Sequence, residues 1–146
     1  MTTARADPAQ RRSVPFTRAP PVLAMALVAL NDHVLKGAGL LPAAVTGKLS
    51  DVAGLYFAPL LVAELWMLAR PTAERGAPVR RAAQATLGFG LLFTAIKTSA
   101  TASALHDAMA GALLHSPVRN TVDPTDLVAL LMLPVTVVGA RRVSRR

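Results

Sequence analysis

The chain has 146 residues, of which 53% are hydrophobic and only 16% are charged, whereas soluble domains carry about 25% charged residues. This balance excludes an intrinsically disordered chain, which combines low hydrophobicity with high charge. Cysteine is absent, which excludes a disulfide scaffold, a thiolate metal site and a cysteine nucleophile. The formal net charge is +8, and what it implies depends on where the charges lie along the chain.

The first predicted elements are a basic tail and an apolar helix. Residues 1–19 are polar and basic without apolar periodicity, so we expect a flexible cytoplasmic tail. The apolar run from Pro21 reaches polar residues at Asn31 and is too short for a bilayer, which needs about 20 residues. A basic segment before a short apolar core also fits a signal peptide. No small-x-small cleavage site follows, so we favour a helix continued over 21–41 as the first span.

Three further apolar stretches follow, each long enough to cross a bilayer. They are predicted as spans at about 49–69, 82–104 and 123–140. The second carries Tyr56 and Trp66 towards its ends, where aromatic anchors often lie. The sequence therefore predicts an all-α polytopic membrane protein: a four-helix transmembrane bundle over 20–140, followed by a basic cytoplasmic tail at 141–146.

The basic residues indicate the orientation of this bundle. Twelve of the sixteen are arginines in the two tails and in the loop between the second and third spans. These three segments share one side of a four-span protein, and the positive-inside rule makes that side cytoplasmic. We therefore predict a bacterial inner-membrane protein with both termini in the cytoplasm. Because topology alone accounts for these arginines, the expected partner is the lipid bilayer and not nucleic acid.

Charged residues from all four spans fall at a similar depth in the outer half of the bilayer. Lys36 and Lys97 both lie roughly 24 Å from the cytoplasmic arginines at about 1.5 Å per helical residue. An ionisable residue at the bilayer centre costs roughly 2.5 to 3.5 kcal/mol, so we expect these side chains to face inward and pair. We call this group the Asp/Lys cluster; its members are Asp32, Lys36, Lys48, Ser50, Asp51, Lys97, Asp123 and Asp126.

Helical spacing predicts how the cluster charges pair, because side chains three or four residues apart meet on one helix face. The pairs expected from this spacing are Asp32 with Lys36 and Lys48 with Asp51. Asp123 and Asp126 also share a helix face, and these two like charges need a cation, for which Lys97 or Arg119 is the candidate.

Other kinds of site are not supported by the spacing. The segment Gly47-Lys48-Leu49-Ser50 lacks the first glycine of a P-loop and the Ser or Thr that holds magnesium. The three histidines, His33, His106 and His115, are not at metal-ligand spacing, so we expect no metal and no cofactor. Nothing in the spacing selects a Ser/His/Asp triad.

Three motifs carry a resemblance to known proteins: N-D-x-x-L-K at 31–36, T-G-K-L-S-D-x-x-G-L at 46–55 and D-P-T-D-L at 123–127. With them the chain resembles a group of small, uncharacterised bacterial integral membrane proteins over roughly 22–140. The resemblance implies about four spans in the cytoplasmic membrane and no established activity. A looser likeness is to VanZ-like membrane proteins, which also have an early Asp/His/Lys cluster and a late D-x-x-D motif. Leu130 stands where that family has asparagine.

The leading functional hypothesis is that the Asp/Lys cluster binds a small polar ligand or a lipid head group at the outer leaflet. One alternative is a membrane enzyme acting on a lipid-linked substrate, with Asp51 or Asp126 as base and a lysine stabilising an anion. Another is a helix-packing subunit of a larger homo- or hetero-oligomer. A neutralised ion network that only fixes helix register is the simplest alternative.

Overall fold

The computed structural model describes residues 18–39, 41–72, 74 and 76–144. Regular structure in these residues is entirely helical, which confirms the expected all-α class. The predicted amino-terminal tail lies outside the described residues except for its last two. The predicted carboxyl-terminal tail begins inside a helix that continues to Ser144.

There are five helices in the described part of the chain. Helix α1 has three consecutive segments, an α-helix at Ala19–Leu30, a π-helical turn at Asn31–Leu35 and a last α-turn at Lys36–Ala38. The others are α2 (Ala43–Ala69), α3 (Ala77–Thr98), α4 (Ala100–Leu114) and α5, in which a 3-10 segment (Pro124–Leu131) leads into an α-helix (Met132–Ser144).

Helix boundaries differ from the predicted spans at several places. Helix α3 begins at Ala77 and not at 82, α5 continues to Ser144 and not to 140, and two further differences have a clear local cause. Gly39, with φ of 65°, ends α1 in the left-handed conformation that glycine adopts freely, and α2 then begins at Ala43, six residues before the predicted 49. The second of these two differences is a break at Ser99, whose backbone is extended and whose Oγ accepts from Ala102 N. A serine in this position caps a new helix, so the predicted third span does not continue unbroken to 104.

Polar contacts at one end of the bundle show that neighbouring helices run in opposite directions. Asn31, late in α1, donates from Nδ2 to the Thr46 carbonyl near the start of α2, at 2.6 Å. Lys97, near the end of α3, lies 2.7 Å from Asp126, near the start of α5. We call this end, where the Asp/Lys cluster lies, the cluster end.

The opposite end carries arginines, and we call it the arginine end. Here Arg81, early in α3, donates to the carbonyls of Trp66 and Arg70 at the end of α2. Arg80 is paired with Glu74 of the preceding loop. Helices α1, α2, α3 and α5 therefore alternate in direction, and their described arginines at this end are Arg18, Arg70, Arg80, Arg81, Arg141 and Arg142.

The core between α2, α3 and α5 is built from small residues near the arginine end and from larger ones near the cluster end. Ala63, Ala82 and Ala140 are almost completely buried together, so the three helices approach closely there. Contact is also close at Gly90, where an added Cβ would lie 2.7 Å from Leu133 Cδ1. This packing fixes the heights of the helices relative to one another.

Two stretches of helix, Ala44–Ala69 and Pro124–Arg142, are long and apolar enough to cross a membrane. Only 28% and 22% of their apolar windows are buried in the protein, whereas the core helix of a soluble protein is mostly buried. The shorter apolar helix Ala19–Leu35 precedes them. Large apolar side chains are exposed on every helix, among them Leu23, Leu68, Leu87, Leu113 and Leu131.

Candidate functional site

The structure brings residues of the Asp/Lys cluster from α1, α2, α3 and α5 together at the cluster end. They form two connected groups. The larger one joins α2, α3 and α5 through Lys48, Asp51, Lys97, Asp123 and Asp126. The smaller one joins α1 and α2 through Asp32, Lys36 and Ser50.

Asp126 is the centre of the larger group. Its Oδ1 accepts from Lys48 Nζ at 2.6 Å, and its Oδ2 accepts from Lys97 Nζ at 2.7 Å. Lys97 Nζ also lies 3.0 Å from Asp51 Oδ2, so these two side chains form a second ion pair. Since Lys97 and Asp126 are only 5% and 8% exposed, each needs a partner of opposite charge in order to stay ionised.

The start of α5 completes the larger group by a local mechanism. Asp123 caps the 3-10 segment, its Oδ1 accepting from the backbone N–H of Thr125 at 2.9 Å. The Thr125 hydroxyl donates to the same oxygen and accepts from Lys48 Nζ. The cap therefore also positions an acceptor for a lysine on another helix.

The smaller group is held by a buried amide. Asn31 is fully buried and donates from Nδ2 to the Ser50 hydroxyl at 2.6 Å. Ser50 in turn donates to Asp32 Oδ1 at 2.7 Å, and Lys36 Nζ lies 2.6 Å from that same oxygen. The expected Asp32–Lys36 pair is thus present, and α2 fixes the position of its carboxylate.

The prediction that Lys48 pairs with Asp51 is wrong. Lys48 turns to Asp126 on α5, whereas Asp51 turns to Lys97 on α3. Both residues lie on α2, but each faces a different neighbouring helix and finds a closer opposite charge there. Lys97 and Arg119 were the two cations expected to pair with Asp123 and Asp126. Of these, Lys97 forms an ion pair with Asp126.

A polar pocket of about 310 Å³ opens beside these groups. Its lining includes cluster residues from all four antiparallel helices together with the segment before α5; the charged members are Lys36, Asp51, Lys97, Arg119, Asp123 and Asp126. Arg119 differs from the others because it makes no hydrogen bond or ion pair with any residue that the structure describes. The charge of Arg119 contributes to lowering the pKa of Asp107, but its N–H donors face the pocket without an acceptor among the described residues.

The segment carrying Arg119 is anchored by the residue that follows it. Asn120 donates from Nδ2 to the Ile96 carbonyl and to the Ser103 hydroxyl, both at 3.0 Å. Its backbone N–H donates to Asp107 Oδ2 at 2.9 Å. That N–H, together with His106 beside the carboxylate, holds the pKa of Asp107 below its usual value. Neighbouring Arg119 is thus held next to the pocket.

Sequence reasoning missed two residues that organise the site. In the sequence Asn31 stands out only as part of a motif, although a lone amide inside an apolar run is a usable signal because a buried amide needs partners. Asn120 carries no comparable signal, since its partners come from two different helices. In the described part of the chain, no three His, Asp or Glu side chains are grouped to hold a metal ion.

Comparison with known proteins adds no relative. No family model, no curated protein and no solved structure matches the chain. The resemblance drawn from the three motifs therefore stays a prediction, and function has to be inferred from the site itself.

Proposed function

We propose that the chain is a four-span membrane protein of the bacterial inner membrane whose outward-facing polar pocket binds a ligand through an anionic group. The ligand is a lipid head group or a small polar molecule, and phosphate is the simplest group of this kind. In this proposal α1, α2, α3 and α5 cross the bilayer, and α4 lies at the outer surface.

The distribution of charge supports this topology. Six described arginines lie at the arginine end, and Glu74 is paired with one of them. At the cluster end the basic side chains face about as many carboxylates. The positive-inside rule counts only Lys and Arg in short loops, and it favours the arginine end as the cytoplasmic one. The exposed apolar side chains on every helix then face lipid.

Arg119 is the observation that carries the binding proposal. The other cations of the pocket, Lys36 and Lys97, are already paired with aspartates. Arg119 has five N–H donors arranged to hold phosphate or carboxylate oxygens, and they are not used by any described residue. Lys36 Nζ lines the same pocket, so an anion beside Arg119 would also experience its charge.

The same geometry favours binding over acid/base catalysis. Both candidate bases, Asp51 and Asp126, are in contact with Lys97. Asp126 accepts from two ammonium groups, Lys48 and Lys97, and such a carboxylate is stabilised in its ionised form, which makes it a poor proton acceptor. The pocket therefore resembles a fixed set of charges more than a proton-transfer site.

The test is the affinity of the purified protein for glycerol phosphate, measured by titration calorimetry, in the wild type and in Arg119→Gln. Loss of one charged hydrogen-bonding partner costs about 1.5 to 3 kcal/mol, so we expect binding to weaken about tenfold or more. Arg142→Gln is the matched control, because it removes the same charge at the arginine end. Equal affinity in the wild type and Arg119→Gln, or equal weakening in both variants, would contradict the proposal.

A further inference from the structure

An apolar groove of about 200 Å³ lies between α2 and α3. On α2 it is lined by Gly54 and Ala58, which leave room between the helices. On α3 it is lined by Phe89, Leu92 and Phe93. The groove is therefore largely apolar with an aromatic wall, although His106 of α4 also lines it. Its lining residues Leu55 and Phe93 also belong to the core cluster with Ala129 of α5.

The groove is continuous with the polar pocket. Ser50 and Asp51 line both, and from Ser50 the groove descends to Ala58, about 12 Å along the helix. A molecule that follows this path passes from charged groups at the cluster end to apolar groups near the middle of the bundle. The order of the two surfaces matches that of a membrane lipid, with its head group outside and its chain below.

We infer that the site takes a whole lipid, with its anionic head group in the polar pocket and one hydrocarbon chain in the groove between α2 and α3. This inference rests on the proposed function and narrows its ligand to an amphiphile. A small water-soluble anion would use the pocket and leave the groove unoccupied. A lipid can place its anionic head group beside Arg119 and its hydrocarbon chain against the apolar wall of the groove at the same time.

The groove contributes to the affinity for a lipid through packing contacts. A chain that moves from the bilayer into the groove exchanges one apolar environment for another, so no hydrophobic gain results. The gain comes from dispersion contacts with fixed side chains, and it is lost when another side chain fills the space. A variant that fills the groove should therefore weaken the binding of a lipid without affecting that of a head group alone.

Gly54→Leu is the test variant. A Cβ at Gly54 meets nothing within 4 Å, so the new side chain starts in open space, and thermal unfolding of the variant checks that its stability matches that of the wild type. Gly88→Leu on α3 is the matched control, because a Cβ there also meets nothing within 4 Å and Gly88 does not line the groove. Ala58→Leu fills the groove one turn deeper and serves as a second test variant.

The probes are long-chain phosphatidylglycerol, followed by native mass spectrometry, and glycerol phosphate, followed by calorimetry. We expect Gly54→Leu and Ala58→Leu to bind the lipid about fivefold more weakly, equivalent to about 1 kcal/mol. Their affinity for glycerol phosphate should equal that of the wild type. Gly88→Leu should change neither.

The outcomes separate the two proposals. If Arg119→Gln weakens both probes while the groove variants match Gly88→Leu, the pocket binds anions and the lipid inference is overturned. If the groove variants weaken both probes equally, the lipid inference is also overturned, since the effect then lies in the pocket. If Arg119→Gln binds both probes as the wild type does, the proposed function fails, and the inference fails with it.

Discussion

Lys97 Nζ lies 2.7 Å from Asp126 Oδ2, and both side chains are almost completely buried. The contact joins the end of α3 to the start of α5 across 29 residues of sequence. Asp126 also receives Lys48 from α2. One carboxylate therefore ties three helices together, and the stability of the cluster end depends on its charge.

Removal of this charge should destabilise the protein strongly. In Asp126→Asn, two lysines lose their main counter-ion, and breaking a buried ion pair costs about 3 to 5 kcal/mol. Asp123→Asn is the control, because its side chain is 41% exposed and asparagine caps a helix about as well as aspartate. Unfolding in detergent measures both. Similar stability of the two variants would show that Asp126 does not hold the helices together.

The pairing on α2 can be checked with double-mutant cycles. The cycle of Lys97→Met with Asp51→Asn should give a coupling energy of about 1 to 3 kcal/mol, because the two side chains are in contact. The cycle of Lys48→Met with Asp51→Asn should give a clearly smaller one, since their contacts go to different helices. A larger coupling for Lys48 with Asp51 would restore the pairing expected from sequence and contradict the structure.

The proposed membrane topology can be tested in this cysteine-free chain by single-cysteine labelling. The positions are chosen as exposed residues: Leu41, Gly76, Ser116 and Arg142. Four spans predict labelling by an impermeant reagent from outside at Leu41 and Ser116 only. External labelling at Gly76 would mean a different number of spans, and the Asp/Lys cluster would then not lie at the outer surface.

Close packing of α3 against α5 predicts a contrast between two glycines on α3. Gly90→Val places a side chain against Leu133, and overpacking of this kind costs about 1 to 3 kcal/mol. Gly88→Val makes the same change of helix propensity where a Cβ meets nothing within 4 Å. Thermal unfolding should therefore show a lower midpoint for Gly90→Val than for Gly88→Val. Equal midpoints would mean that α5 does not approach α3 as described.

The Asp107 carboxylate predicts a pH dependence of stability. Its pKa is lowered, mainly by the Asn120 N–H and then by His106, so ionised Asp107 stabilises the folded state above its ordinary pKa of 3.8. This contribution is lost as the pH falls from about 4 through the lower folded value. Asp107→Asn should be less stable than the wild type at pH 7, with the difference shrinking below pH 4. A difference independent of pH would exclude this mechanism.

The depth of a charged side chain in the bundle could be predicted from sequence, but the residue with which it pairs could not. The height of Lys97 or Asp126 along its helix follows from a constant rise per residue, and that was enough to group the cluster. The partner of Lys48 depends on how α2 is rotated towards α5, which no local pattern specifies. The helix break at Ser99 could not be predicted because the apolar run continues through it. A serine indicates the start of a helix only where other residues also indicate a turn of the chain.

The unequal charge of the two ends has a consequence for biogenesis. In the proposed topology the cluster end is carried outward against an inside-negative potential, at about 2.3 kcal/mol for each net positive charge per 100 mV. The carboxylates beside its lysines offset this electrical work almost completely. At the other end Glu74 offsets one arginine, and the remaining excess of positive charge would oppose export. The ion pairs that join the helices at the cluster end thus also reduce the electrical work of translocating that end across the membrane.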